Sequence, residues 1–181
     1  MPAYLEPRDV SKELADFNSV LIVSCPVCPP MCLAMQTNSP FIELFRRGMK
    51  TGAFEEYIQS IREPLERRGV RTDAFSMHAP TPMMCIWTES QRNRLRKRAR
   101  DYEAVVVLGC DSGTVTAVDA LRDTDCKVIQ AMEMNGIMNA TASIRLPLTV
   151  TLEPHIESKV EFTILPKTGA GESRGTEHAA P

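Results

Sequence analysis

Three of the six cysteines of this chain lie within eight residues, directly after an apolar run. The run, Val20–Val23, indicates a buried strand. The cysteines that follow it have the spacing C-x2-C-x3-C and are Cys25, Cys28 and Cys32. Prolines at 26, 29 and 30 fix φ and remove three backbone donors, so we expect neither an ordinary helix nor a central strand there. The segment therefore predicts a stiff loop whose sulfur atoms are close enough to share one metal centre.

The composition is typical of a single globular domain with a core of ordinary size. The chain has 181 residues, of which 43% are hydrophobic and 24% charged, and its formal net charge is -2. Nothing in this balance favours nucleic acid or an anionic membrane as the main partner. No signal-peptide pattern and no run of about 20 apolar residues is present, so we expect a cytoplasmic protein without membrane insertion. In that reducing compartment, clustered cysteines are more often metal ligands or redox groups than disulfides.

Strands and helices are predicted to alternate along the chain. The run Ala104–Leu108 is apolar and mostly β-branched, as in a strand buried on both faces of a parallel sheet. Other strands are expected at 19–24, 70–76 and 126–131, with further extended segments at 144–152 and 159–165. Helices are expected at 9–17, 40–47, 52–68, 88–101 and 113–122. The fold class is thus α/β, with a three-layer, mostly parallel Rossmann- or flavodoxin-like sheet and helices on both faces.

This pattern divides the chain into three parts. Residues 1–18 are expected to form an N-terminal extension, 19–153 the cysteine-rich α/β domain, and 154–181 a C-terminal strand and a flexible tail. Prediction of the tail rests on its glycines and charges.

Five cysteines follow predicted strands, and the carboxyl ends of parallel strands meet at one edge of a sheet. We therefore expect this edge to carry Cys25, Cys28, Cys32, Cys85 and Cys110. Cys126 begins a predicted strand and is expected at the opposite edge. Four thiolates are what either a tetrahedral zinc ion or a four-iron cluster requires. Cys110 or Cys85 would supply the fourth ligand, and His78 is a less favoured zinc ligand.

Two stretches of the sequence resemble a known family. In Leu21–Cys32 a strand runs into the C-x2-C-x3-C loop, and in Val105–Gly113 a strand ends in a Gly-Cys turn before a helix. Both are similar to the cysteine-rich C-terminal domain, or small accessory subunit, of methylenetetrahydrofolate reductases from anaerobic one-carbon pathways. The resemblance covers residues 19–150. No glycine occurs in 33–40 and no cysteine follows Cys126, in contrast to that family, so we expect no second metal site.

The resemblance implies a function as well as a site. It implies a metal-binding accessory subunit that relays electrons or assembles a complex with a larger catalytic subunit, and it leaves a related one-carbon or corrinoid-linked complex equally open. The implied cofactor is a 4Fe-4S cluster, with zinc as the alternative. The implied ligands are Cys25, Cys28, Cys32 and Cys110, with Cys85 as a further candidate.

A second class of function uses a cysteine covalently. Cys110 lies at a predicted helix N-terminus, where the helix dipole favours a thiolate. A thiol-dependent enzyme or sulfur carrier acting through Cys110 or Cys25 is therefore the alternative hypothesis. The basic helix at 88–101 lacks interleaved aromatic residues, which favours a solvated face or a docking patch for an acidic subunit over nucleic-acid binding. An apolar loop around Asn135-Gly136 is expected to contact a partner.

Overall fold

The structure, a computed structural model, describes residues 3–155. The extended segment predicted at 159–165 and the predicted tail lie outside the described residues. Within them, the strands are β1 (Ala3–Pro7), β2 (Ser19–Ser24), β3 (Ile42–Glu43), β4 (Arg71–Ser76), β5 (Ala104–Leu108), β6 (Lys127–Gln130), β7 (Met132–Ile137), β8 (Ala140–Arg145) and β9 (Thr149–Pro154). The helices are α1 (Cys28–Gln36), α2 (Leu44–Arg47), α3 (Gly52–Arg67), α4 (Glu89–Ala99) and α5 (Asp111–Leu121), and a 3-10 turn spans Met84–Ile86.

A four-stranded parallel sheet in the order β4-β2-β5-β6 lies at the centre of the molecule. Strands β2 and β5 are its two inner strands and are almost completely buried, as their continuous apolar sequences predict. In their register, Ile22 lies opposite both Ala74 of β4 and Val106 of β5. The strands predicted at 19–24, 70–76, 104–108 and 126–131 are thus confirmed within a residue or so at their ends.

Helices pack against both faces of this sheet. Alternate side chains of β2 point to opposite faces, so Ile22 joins a buried cluster with residues of α1 and α3, such as Leu33 and Phe54. Leu21 joins a second cluster with residues of α4 and α5, such as Leu95. The helix that follows β2 therefore covers one face, and the helix that follows β5 covers the other.

Two antiparallel sheets were not part of the predicted architecture. One pairs β1 with β7, and the other has the order β3-β9-β8. A mixed α/β fold with a parallel sheet is confirmed, but one mostly parallel sheet does not describe the whole chain. Strand β1 lies in the predicted extension, and β7 replaces the predicted apolar loop. Each obtains its backbone partners from a segment more than 120 residues away, which no local pattern reveals.

Several local predictions also change. Residues 9–17 form turns instead of a helix. The predicted loop after β2 becomes helical at Cys28, because prolines in a first helical turn lose only N–H groups that have no partner inside the helix. The helix predicted at 40–47 is reduced to the four residues of α2, after the two-residue strand β3. The segment 144–152 turns back on itself and contributes to both β8 and β9.

The helices predicted at 52–68 and 88–101 are confirmed as α3 and α4. Helix α3 keeps Pro64 inside it, and α4 matches the basic segment. No helix of the described part combines the length and the apolar character needed to cross a membrane.

Helix α4 begins with a capping box, which predicts a measurable stability effect. The backbone N–H of Gln91 donates to Thr88 Oγ1 at 3.4 Å, and the backbone N–H of Thr88 donates to Gln91 Oε1 at 3.1 Å. We expect Thr88→Ala to lower the free energy of unfolding by about 1 kcal/mol in urea titrations. Ser90→Ala, an exposed change in the same turn, should lower it by less than about 0.5 kcal/mol. Equal effects of the two substitutions would contradict this role of Thr88.

Candidate metal centre

The candidate site lies at the carboxyl edge of the parallel sheet, between β2 and β5. The two strands are neighbours, but the chain leaves them toward helices on opposite faces. Such a switch point opens a crevice in α/β sheets. The backbone N–H of Cys25 donates to the carbonyl of Leu108 at 2.9 Å. A Cβ atom placed on Gly109 would lie 3.8 Å from Cβ of Cys25. The loop after β2 and the Gly-Cys turn after β5 are therefore in contact.

Two further cysteines begin the helices that leave this edge of the sheet. Cys28 is the first residue of α1, and Cys110 is the N-cap residue of α5. Both side chains are half-buried. Helix N-termini stabilise negative charge through their free N–H groups and the helix dipole. A negatively charged group bound at either helix end would therefore be stabilised there.

Cys85 reaches the same edge from the loop after β4. It is exposed and lies in the 3-10 turn Met84–Ile86. This turn packs on the first turn of α5, since a Cβ atom placed on Gly113 would lie 3.6 Å from Cβ of Met84. Cys85 is thereby held beside the helix end that carries Cys110.

The thiols of this group perturb one another electrostatically. Burial raises the pKa of Cys28, and the neighbouring Cys25, Cys110 and Cys85 raise it further. Burial also raises the pKa of Cys85, again with contributions from Cys110 and Cys25. Each of the four thiols is therefore within electrostatic reach of others in the group, and Cys28 also raises the pKa of Cys32. We refer to Cys25, Cys28, Cys85 and Cys110 as the four-cysteine group.

Cys32 has a different environment, one helical turn further along α1. Its Sγ accepts a hydrogen bond from the Leu5 N–H at 3.3 Å and donates one to the Ala3 carbonyl at 3.4 Å. It also lies 3.8 Å from Sδ of Met138. Burial raises the pKa of its fully buried thiol to about 11. Its bonding partners are thus the backbone of β1 and the core.

These contacts of Cys32 predict a structural role for it. We expect Cys32→Ala to lower the free energy of unfolding by about 1–3 kcal/mol, because the buried N–H of Leu5 loses its sulfur acceptor. Chemical unfolding of the reduced protein, followed by circular dichroism, measures this effect. Cys85→Ala is the matched control, since Cys85 is exposed, and it should change the unfolding free energy by less than about 0.5 kcal/mol.

The sequence also assigned positions to Cys126 and His78. Cys126 precedes β6 and lines a surface cavity with Asn18 and Glu103, at the amino edge of the sheet. This is the opposite edge, where the sequence placed it. His78 is exposed in the loop after β4.

The donor set decides which metals fit the group. Within residues 3–155, no three His, Cys, Asp or Glu side chains converge as they would around a single ion. Thiolates are soft ligands that suit zinc and iron–sulfur clusters. A four-iron cluster takes four cysteines, one on each iron, so its sulfur ligands surround a cube instead of meeting at one point. All four members of the group are thiols, the donor type that both zinc and iron–sulfur sites use.

A further feature of the site was missed in the sequence. Two buried side-chain polar atoms have no hydrogen-bond partner in the described part, Thr81 Oγ1 and Trp87 Nε1. The two residues flank Cys85 in the chain. Trp87 is the single tryptophan of the protein and lies two residues after Cys85. The position of a tryptophan two residues after a candidate ligand was the feature of the sequence that could have drawn attention to it.

Comparisons of the chain with protein-family models, with curated proteins and with solved structures found no match.

Proposed function

We propose that this protein is an iron–sulfur accessory subunit of a one-carbon-metabolism complex related to methylenetetrahydrofolate reductase. The observation that carries the proposal is the contact between the loops after β2 and β5 at one edge of the sheet, together with the packing of the Cys85 turn on α5, which adds a third cysteine-bearing segment. The resemblance of the two strand–cysteine elements to that family supports the choice of partner enzyme. On this proposal the parallel sheet with its helices is a small Rossmann- or flavodoxin-like core, and the antiparallel sheets are additions to it.

The four-cysteine group would hold the cluster. Cys25 and Cys28 come from the first loop, Cys110 from the second, and Cys85 from the loop after β4. Cys32, which the family resemblance implies as a ligand, is left out because its thiol is engaged by the backbone of β1. A 4Fe-4S cluster supplies a site that accepts and returns one electron.

The four thiols differ in their exposure to solvent. Cys25 is buried, Cys28 and Cys110 are half-buried, and Cys85 is exposed. A cluster held by them would thus be closest to the protein surface at Cys85. The neighbouring Met83 and Ile86 are 41% and 55% exposed, as expected of side chains that a larger catalytic subunit would cover.

Two cavities of the described part lie away from the thiols of the four-cysteine group. A cavity of about 280 Å³ is lined by residues such as Arg8, Tyr57 and Arg68, away from the thiols. Another, of about 630 Å³, surrounds Cys126 at the amino edge of the sheet. Neither of these two cavities includes a member of the four-cysteine group.

Anaerobic purification of the full chain tests the proposal. We expect brown protein with about four iron and four acid-labile sulfide per chain and broad visible charge-transfer absorption that bleaches on reduction. Colourless protein with one zinc would keep the thiol site and exclude electron relay. Metal-free protein with one fast-reacting thiol at Cys110, the half-buried N-cap residue of α5, would favour the thiol-dependent alternative.

The one-carbon assignment needs a separate experiment. The catalytic subunit of an anaerobic methylenetetrahydrofolate reductase, mixed with the loaded protein, is expected to form a complex in gel filtration and to exchange electrons with it in stopped-flow absorption. Failure of both with a fully loaded cluster would retain the iron–sulfur function and remove this partner.

A further inference from the structure

Strand β8 is an exposed edge of the sheet with the order β3-β9-β8. Within the described residues it has a neighbouring strand on one side only, and all of its residues except the first are exposed. The carbonyl of Asn139 accepts from the N–H of His155 at 2.8 Å, so Asn139 and every second residue after it bond to β9. The backbone N–H and C=O groups of the residues between them therefore point away from the sheet, and these are Ala140, Ala142 and Ile144.

This edge lacks the features that usually prevent a free strand from pairing. Exposed edges commonly carry several charged side chains, a proline or a bulge. The sequence of β8 is ATASIR, its one charge stands at the last position, and its register with β9 is regular throughout. The outer side of β8 is therefore a template that can accept another strand.

Exposed apolar side chains are concentrated beside the same edge. Ile144 is 68% exposed, and Leu146, in the turn that follows β8, is 94% exposed. The N–H of Leu44 donates to the carbonyl of Leu148 at 3.2 Å, which holds α2 and its exposed Phe45 next to that turn. A concentration of large apolar side chains on a surface is typical of a protein–protein contact.

The side chains of β8 are complementary to those of a second, antiparallel copy of the same strand. When Ser143 lies opposite its own counterpart, Ile144 lies opposite Ala142 of the second copy, and Leu146 lies beside Ala140. Each large apolar side chain thus meets a small one. The outward-pointing groups of Ala142 and Ile144 also become a hydrogen-bonded pair on each side of the symmetry axis.

Neighbouring registers lose this match. A shift by two residues in one direction places Ala142 opposite Ala142 and leaves a gap, and a shift in the other direction places Ile144 opposite Ile144. A shift by one residue would bring the two faces of the strands out of agreement. The sizes of the side chains therefore select the register with Ser143 on the axis.

The charges on the other face of the strand agree with this register. Arg145 lies opposite Thr141 of the second copy, and Thr141 has Glu153 as its neighbour on β9. Arg145 of one copy and Glu153 of the other thus face each other across the short threonine side chain, and the twofold symmetry forms this contact twice. No like charges lie opposite each other, because Arg145 is the one charged residue of β8.

We propose that β8 is a homodimer interface, at which a second copy of this chain adds its own β8 so that the two antiparallel sheets become continuous. The contact is isologous, since the same strand is presented by both copies. The proposal is independent of the iron–sulfur function, because no cysteine takes part in the interface.

Charge substitutions at Ser143 test the interface at its symmetry axis. Ser143 is exposed, and a glutamate there places two carboxylates opposite each other without a change in the core. We expect the reduced, full-length wild type to form a dimer in sedimentation equilibrium. Ser143→Glu and Ser143→Lys, each by itself, should raise the dimer Kd by about tenfold or more. Ser90→Glu, an exposed change on α4, should leave the Kd unchanged.

An equimolar mixture of the two Ser143 variants is the decisive comparison. A carboxylate and an ammonium group then lie opposite each other, so we expect a mixed dimer with a Kd close to that of the wild type. Recovery on mixing requires that residue 143 of one copy meets residue 143 of the other, and a misfolded variant would not recover.

Three results would overturn the proposal. A wild type that stays monomeric at the highest concentration reached would leave the apolar surface to a different protein. A dimer that both charge variants retain would place the interface elsewhere on the chain. Weakened dimers that do not recover on mixing would exclude the register with Ser143 on the axis.

Discussion

Replacement of Cys85 by alanine is expected to cost the anaerobically purified protein most of its iron and acid-labile sulfide. The physical reason is that Cys85 supplies one of the four thiols of the group and no other described thiol is placed to replace it. Its exposure makes the change informative, because truncation of an exposed side chain shifts stability by less than about 0.5 kcal/mol. Iron and sulfide assays per folded chain, with visible absorption, measure the loss.

Two other cysteines serve as controls for this substitution. Cys32→Ala should keep the full metal content, since that thiol is bonded to the backbone of β1. Cys126→Ala, at the amino edge of the sheet, should keep it as well. Loss of the cluster in Cys32→Ala with retention in Cys85→Ala would restore the ligand set implied by the family resemblance and contradict the one proposed from the structure.

Truncation of Ile22 is expected to have the largest effect on stability. Ile22 is fully buried at the centre of β2, between Ala74 and Val106 of the neighbouring strands. Ile22→Ala removes three carbons and leaves a cavity, which costs about 2–5 kcal/mol in a well-packed core. Small domains have free energies of unfolding of about 5–15 kcal/mol, so a large share of the total would be lost. Urea unfolding followed by circular dichroism measures the change in midpoint.

The control for Ile22 is a valine on the surface. Val118 of α5 is 50% exposed, and Val118→Ala should change the unfolding free energy by less than about 0.5 kcal/mol. An unfolding midpoint of Ile22→Ala within error of Val118→Ala would contradict the placement of β2 at the centre of the core.

The elements whose signals are local were predictable. The run Ala104–Leu108 specified a buried strand because β-branched apolar residues suit a sheet covered on both faces. Helix α3 followed from apolar residues at three- and four-residue steps, and α4 from its basic segment. The prolines after Cys25 were interpreted too strongly, since a proline breaks a helix only beyond its first turn.

What the sequence by itself determined is the edge at which the cysteines gather. Four of the five cysteines that follow strands form one group there, because parallel strands with crossover helices bring their carboxyl ends to the same side. The sequence also specified Cys126 as the exception.

Only the tertiary structure decided which thiols belong together. Cys32 has the same local motif as Cys25 and Cys28, but it turns to the backbone of β1, a strand that exists only because β7 pairs with it from the far end of the described chain. Cys85 lies beside the N-terminus of α5 because the neighbouring Met84 packs on Gly113 of that helix. Spacing along a chain limits which sulfur atoms are near one another, whereas the direction in which each one points depends on side-chain packing against distant segments.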